Sequence, residues 1–125
     1  MAHFAEIDEN NIVLRVVVTD NNDPNGDEGY QWLIDNLGGR WVQTSYNSLG
    51  GVHYLPDERD ENSQRVPSGK PHFRYNFAEI DGMYDQKADA FIPPKPEPFA
   101  LPNGKTLDRV LNTNTYLWEF PKRSD

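Results

Sequence analysis

Gly38-Gly39-Arg40-Trp41-Val42-Gln43-Thr44-Ser45-Tyr46-Asn47-Ser48-Leu49-Gly50-Gly51-Val52-His53-Tyr54 is the stretch that decides the fold class. Glycine pairs bracket it, and two β-prone runs meet across its interior. Trp41-Val42 and Thr44 to Tyr46 supply indole, β-branched and phenol side chains, which suit a pleated, half-buried surface. Asn47 to Gly51 breaks the run with turn residues, two of them glycines free to take positive φ. Val52 to Tyr54 then returns antiparallel, which predicts a hairpin with a five-residue loop. Its aromatic residues, Trp41, Tyr46 and Tyr54, are a natural seed for a core.

Upstream, residues 3–8 and 12–19 read as a second hairpin. Ile12, Leu14, Val16 and Val18 alternate with Val13, Arg15, Val17 and Thr19, giving one apolar face and one mixed face. The connector Glu9-Asn10-Asn11 carries asparagines that tolerate left-handed backbone. Asp20 to Gly29 is a polar loop. A short helix near 28–37 follows, with Tyr30, Leu33, Ile34 and Leu37 on one stripe at the 3.6-residue period. Asp27 is the expected N-cap and Gly38 the residue that ends the helix. Trp32 lies off the stripe and is expected to be partly exposed.

Downstream, Pro56 to Lys70 is the most polar segment and reads as a mobile acidic loop at about 56–70. Residues 72–80 alternate Phe73, Tyr75 and Phe77 with His72, Arg74 and Asn76, which predicts a strand with an aromatic inner face. Phe4-Ala5-Glu6-Ile7-Asp8 recurs as Phe77-Ala78-Glu79-Ile80-Asp81, either by chance or as a duplicated hairpin. The second copy is expected to return through Ala90-Phe91-Ile92. Pro93-Pro94-Lys95-Pro96-Glu97-Pro98 must be extended. It reads as a rigid strap between two strands, the alternative being a ligand for an aromatic-grooved module. Residues 99–114 read as loop with a helical turn at Leu107 to Leu111, and Tyr116 to Phe120 as a last strand. The expected fold is mainly β (α+β), a small antiparallel sheet or sandwich of hairpins with one short helix. Its core is expected from Leu14, Val16, Leu33, Trp41, Tyr75, Phe91 and Trp118.

At 125 residues the chain is expected to form one domain, 1–125, burying roughly 68% of its extended-chain surface. Only 36% of residues are hydrophobic, but 6 Phe, 6 Tyr and 3 Trp concentrate that burial in a few large side chains. The formal net charge is −8, and the 12 basic residues are scattered, with no run longer than Lys122-Arg123. Nucleic-acid binding needs clustered Lys and Arg, so it is not expected here. With no cysteine, disulfides, thiol nucleophiles and Cys-ligated zinc are excluded. The opening Met1-Ala2-His3-Phe4-Ala5-Glu6 is too polar for a secretory signal, and no apolar run approaches membrane-spanning length. A soluble chain made in a cytosol is the expectation.

No catalytic constellation stands out. Glu6 and Glu79, set among hydrophobic residues, come closest to a carboxylate with a raised pKa, against the simpler reading of solvated strand-face acids. Asn21, Asp23, Asn25 and Gly26 match the first positions of an EF-hand loop. That loop needs Asp first and a bidentate Glu last, where this chain has Asn21 and Trp32. Asp57, Glu58, Asp60 and Glu61 form a second acidic cluster, read as solvated. His3, His53 and His72 lack metal-ligand spacing, and no nucleophile elbow, P-loop or dinucleotide fingerprint is present. Trp32, Trp41 and Trp118 either stack a sugar or belong to the core. The expected cofactor is none.

Trp41-Val42-Gln43-Thr44-Ser45-Tyr46-Asn47, Gly50-Gly51-Val52-His53-Tyr54, Tyr75-Asn76-Phe77-Ala78, Tyr84-Asp85, Asp89-Ala90-Phe91-Ile92-Pro93-Pro94-Lys95-Pro96 and Trp118-Glu119 together resemble a family of small proteins encoded by marine tailed bacteriophages, cyanophages among them. The opening Ala2-His3-Phe4-Ala5 through Val16-Val17-Val18 fits too, so the resemblance covers nearly the whole chain. The sequence departs from the family pattern at Phe99-Ala100, where Ser-Trp is usual, and in a longer insert between Pro98 and Tyr116. Most members are called uncharacterised or structural, so the resemblance carries over no catalytic residue. It implies a virion component on head or tail, found in the virion and, during assembly, in the host cytoplasm. Its expected partners are other virion proteins, with further copies of itself on the particle as an option, and neither nucleic acid nor membrane. Two alternatives stand beside it: a non-virion protein binding a host factor, and a carbohydrate-binding module on the virion surface. Candidate contact residues are Trp32, Tyr46, Tyr54, Pro93, Pro94 and Pro96, since interface cores favour aromatic side chains and the strap is stiff.

Overall fold

The chain is described here by a computed structural model covering residues 2–19 and 27–121. Within them it is mainly β, with one short helix and small antiparallel sheets built of hairpins. β1 (Ala2–Ile7) is the middle strand of the first sheet, between β2 (Val13–Thr19) and β3 (Arg40–Thr44). Asp8 closes the β1–β2 turn: its Oδ1 accepts the N–H groups of Asn10 and Ile12 at 2.8 and 3.0 Å. Asn11 takes φ 64°, the left-handed backbone expected of this connector.

Both faces of β1 are buried. Ala2 and Phe4 meet Leu33 and Trp41 on one face, with Val17 and Ile34 at the margin. Ala5 and Ile7 meet Val13, Ala78 and Phe91 on the other, flanked by Val16, Val42 and Tyr84. The expected apolar face of β2 is therefore corrected. The register slips by one between Glu6 and Ile7, which pairs Ile7 with Val13. That bulge sends Val13 inward and leaves Leu14 49% exposed. Val18 is exposed too, while Val17, from the mixed face, packs inside.

Helix α1 (Tyr30–Leu37) lays Leu33 and Ile34 on the Phe4 face. Gly29 occupies the N-cap position, yet Asp27 does the capping chemistry: its carboxylate accepts the N–H groups of Gly29 and Gln31 at 3.1 and 2.9 Å. Gly38 ends the helix, its N–H bonded to Ile34 O at 3.0 Å. Trp41 Nε1 then donates to Gly38 O at 2.7 Å, which locks the helix end to β3.

The central hairpin is rearranged. β3 pairs with β1 and not with the returning strand. The hairpin instead joins β4 (Ser48–Leu49) to β5 (Val52–Arg59) through Gly50-Gly51. Both glycines have positive φ, 61° and 81°, as a two-residue turn that follows strand twist requires. Residues 56–70, expected as a mobile loop, carry the outer half of β5 and all of β6 (Arg65–Pro67). Asp60 makes that hairpin possible by accepting the N–H groups of Asn62 and Gln64.

Residues 72–80 form no strand, against the alternating pattern. Arg74 and Tyr75 both take left-handed backbone, φ 51° and 64°, so the chain turns there. The turn delivers Asn76, 1% exposed, into the middle of the molecule. Its Oδ1 accepts Gly50 N–H at 2.7 Å, and its Nδ2 donates to Phe91 O, Thr115 O and Tyr116 O at 3.0, 3.0 and 3.1 Å. The five-residue echo is consequently no structural duplicate: its first copy is β1, its second is irregular, and Ile80 is 59% exposed where Ile7 is buried.

β7 (Met83–Asp85) and β8 (Ala90–Ile92) form the next hairpin, tied to the first sheet by Val13 N–H on Gly82 O at 2.8 Å and Asp81 N–H on Val13 O at 2.9 Å. Gly82 is buried so tightly that a Cβ there would stand 2.6 Å from Ile92 O. The proline stretch 93–98 connects β8 to β9 (Phe99–Ala100) without regular structure. β9 pairs with β10 (Thr106–Leu107), and β11 (Val110–Asn112) with β12 (Leu117–Glu119). The expected helical turn at 107–111 is thus replaced by strand. Of the expected core, Leu33, Trp41 and Phe91 are buried; Val16, Tyr75 and Trp118 are half-buried.

Asn76→Leu is the direct test of the central amide. It orphans one N–H and three carbonyls, and a loss of at least about 3 kcal/mol in urea denaturation is expected. A loss below about 1 kcal/mol would show that the carboxamide is not what joins these segments.

Candidate functional site

β3 is an outer strand, and a groove of about 470 Å3 opens along it. Trp41, Val42 and Gln43 line it together with Phe4, Asp27 and Tyr30 and with Phe73, Arg74 and Tyr84. The left-handed turn at Arg74 aims its guanidinium back at the strand. Arg74 Nη1 donates to Gln43 O at 3.0 Å and Nε to Asp89 Oδ1 at 2.9 Å, with the guanidinium 4.4 Å over the Phe73 ring. Tyr84 Oη donates to the same Asp89 oxygen at 2.5 Å. Burial, and then this bond to Asp89, push the Tyr84 phenol above its ordinary value. The phenol is therefore a proton donor at neutral pH and not a base. The cluster can hold hydrogen-bonding groups and apolar side chains in place.

Two further clusters share one construction, an arginine stacked on an aromatic ring beside a second exposed ring. Arg65 lies 4.8 Å over Tyr54 and donates to the carbonyl of Tyr46, which is 48% exposed. Arg109 lies 4.0 Å over Phe120, and Phe120 meets Phe99 edge-on at 5.7 Å. Among the described residues, two buried side-chain polar atoms lack a hydrogen-bond partner, Asn47 Oδ1 and Arg109 Nε. Each belongs to one of these clusters, since Asn47 lines the 250 Å3 cleft that Tyr46 and Arg65 also line.

The candidate contact residues fall in three places. Trp32 is 55% exposed on α1. Tyr46 and Tyr54 are brought together by Arg65. Pro93, Pro94 and Pro96 are half-buried, and Pro93 O accepts Trp118 Nε1 at 2.7 Å. The three tryptophans do not share a surface: Trp41 is buried, and Trp118 sits under Lys95 at 5.5 Å. Lys95 and the Arg109 N–H hold the Asp108 carboxyl below its usual range.

Glu6 is ion-paired with Arg15 at 2.7 Å, and Glu79 is exposed. His3 meets the Tyr46 and Phe77 rings edge-on, His53 Nδ1 is 2.6 Å from Ser68 Oγ, and His72 stacks on Tyr75. Among the described residues no group of three His, Asp or Glu is placed to hold a metal. The EF-hand-like positions Asn21, Asp23, Asn25 and Gly26 lie outside the described residues. Sequence reasoning missed Arg74, Tyr84 and Asp89, because Arg74 and Asp89 meet across a turn that no local pattern announces. Comparison with protein-family models, with curated proteins and with solved structures finds no match in any of the three.

His3 gives the site region a pH signature. Burial lowers its pKa from 6.5, so the folded state favours the neutral ring. Below that value the unfolded chain binds the extra proton, and its contribution to stability is lost as pH falls. Melting temperature should therefore decline between about pH 7 and pH 5, and His3→Phe should flatten that part of the profile. Parallel profiles for the two proteins would remove His3 as the cause. Asp108 acts separately, near and below 3.8.

Proposed function

We propose that this chain is a structural or accessory component of a bacteriophage virion, on the head or tail, that works by protein–protein attachment and not by catalysis. One observation carries the reading: the two arginine–aromatic clusters each present an exposed ring together with a buried polar atom that has no partner. Folded chains leave few such atoms unpaired, and Tyr, Phe and Arg are the side chains that interface cores favour. The two orphans are complementary in kind, an acceptor at Asn47 and a donor at Arg109. The resemblance to small proteins of marine tailed phages supplies the setting.

Charge and hydropathy agree with partners that are proteins. A net charge of −8 repels packaged DNA, so attachment is to an outer surface. Among the described residues no helix is long and apolar enough to cross a membrane. Many weak copies on a symmetric particle stay attached without a large interface for each, which suits small clusters of this kind.

Mass spectrometry of purified virions is the test. The protein should be present at a reproducible copy number, and particles made without it should assemble but lose stability or adhesion. Virions with no trace of it would transfer the reading to a host-factor binder.

A further inference from the structure

We propose that the open edge of β3 is an acceptor site for an extended polypeptide segment, which adds to the first sheet as a fourth strand. The proposal rests on the attachment reading for its partner, while the site itself is argued from geometry alone.

β3 pairs only with β1, so one side of its backbone is free of a neighbouring strand. Gln43 turns its carbonyl to that side, where Arg74 Nη1 takes it. Strand alternation places the N–H and C=O of Trp41 on the same side. Among the described residues, no main-chain group bonds to either residue there. The groove is lined by three consecutive residues, Trp41, Val42 and Gln43, whose side chains alternate between faces. A cavity that touches all three runs along the strand edge and not across one face. What fits is a backbone offering N–H and C=O groups at strand spacing, namely another polypeptide.

The walls describe its side chains. An added strand would send alternate residues toward Tyr30 on one side and toward Tyr84 on the other, so both sets meet aromatic rings. The chain carries a formal −8 charge, which favours a segment with net positive charge. Arg74 is the guard of this edge. It satisfies Gln43 O with a side-chain donor, one way that native sheets prevent indiscriminate pairing. An incoming N–H can replace Nη1 while Nε stays on Asp89, so displacement leaves the ion pair intact.

The test selects random short peptides, displayed in a library, on the intact chain, and then synthesises those enriched. The expected peptides alternate apolar residues and carry Lys or Arg. Their binding should protect the Trp41 and Gln43 amides from hydrogen exchange. Methylating the backbone nitrogen that faces Gln43 should weaken binding about tenfold without altering any side chain. Arg74→Gln should not weaken it. Failure to enrich any peptide, binding that leaves both amides unprotected, or full tolerance of the backbone methyl would each overturn the proposal. None of these results bears on whether virions contain the protein, so the two readings fail separately.

Discussion

The Asn76 carboxamide is the constraint on which the rest of the structure depends. Three segments distant in sequence, at Gly50, Phe91 and Thr115–Tyr116, present four backbone groups to one buried side chain. The Phe91 carbonyl is buried, and leaving it without a partner would cost about 1–3 kcal/mol; the other three groups are partly buried. A small amide serves all of them with one acceptor and two N–H donors in one rigid plane, the three carbonyls sharing the two hydrogens. Placing it there demands the left-handed pair Arg74–Tyr75, which in turn aims Arg74 at β3 and Tyr75 at Tyr116. The groove and the core are thus consequences of the same turn.

This arrangement suits a chain poor in aliphatic residues. Three of the sheets are two-stranded hairpins, which are marginal on their own in water. Side-chain staples make up the deficit. Ser48 Oγ accepts Phe73 N–H, Thr44 Oγ1 accepts Ala78 N–H, and Trp118 Nε1 reaches the proline stretch. Ser48 and Thr44, like Asn76, are buried polar residues whose hydrogen bonds cross between elements. These polar side chains fasten one element to another, where a chain richer in aliphatic residues would use apolar packing.

That surface is organised by arginine. Arg65, Arg74 and Arg109 each lie over an aromatic ring, at 4.8, 4.4 and 4.0 Å. Stacking leaves the edge of a guanidinium available for hydrogen bonds, so a ring and several donors are held in one place. In a protein of net charge −8, these are points where a fixed cation lies beside apolar area.

The sequence by itself determined the fold class, the first hairpin, the helix and its glycine stop, because period-two and period-3.6 patterns and turn residues are local properties. It also determined that Trp41 and Phe91 would be core, and that Trp32, off the helix stripe, would be exposed. Pairing was decided by tertiary structure. Trp41 to Thr44 is a good strand beside any neighbour, and only the competition between β1 and the returning chain assigned it to β1. The bulge that exposed Leu14 shifted the register by one residue and turned Val13 into the core. The alternating run at 72–80 was overridden because four backbone groups elsewhere needed Asn76 more than the run needed a strand. Arg74 and Asp89, fifteen positions apart, became neighbours through that same turn, so the groove could be seen only once the chain was folded.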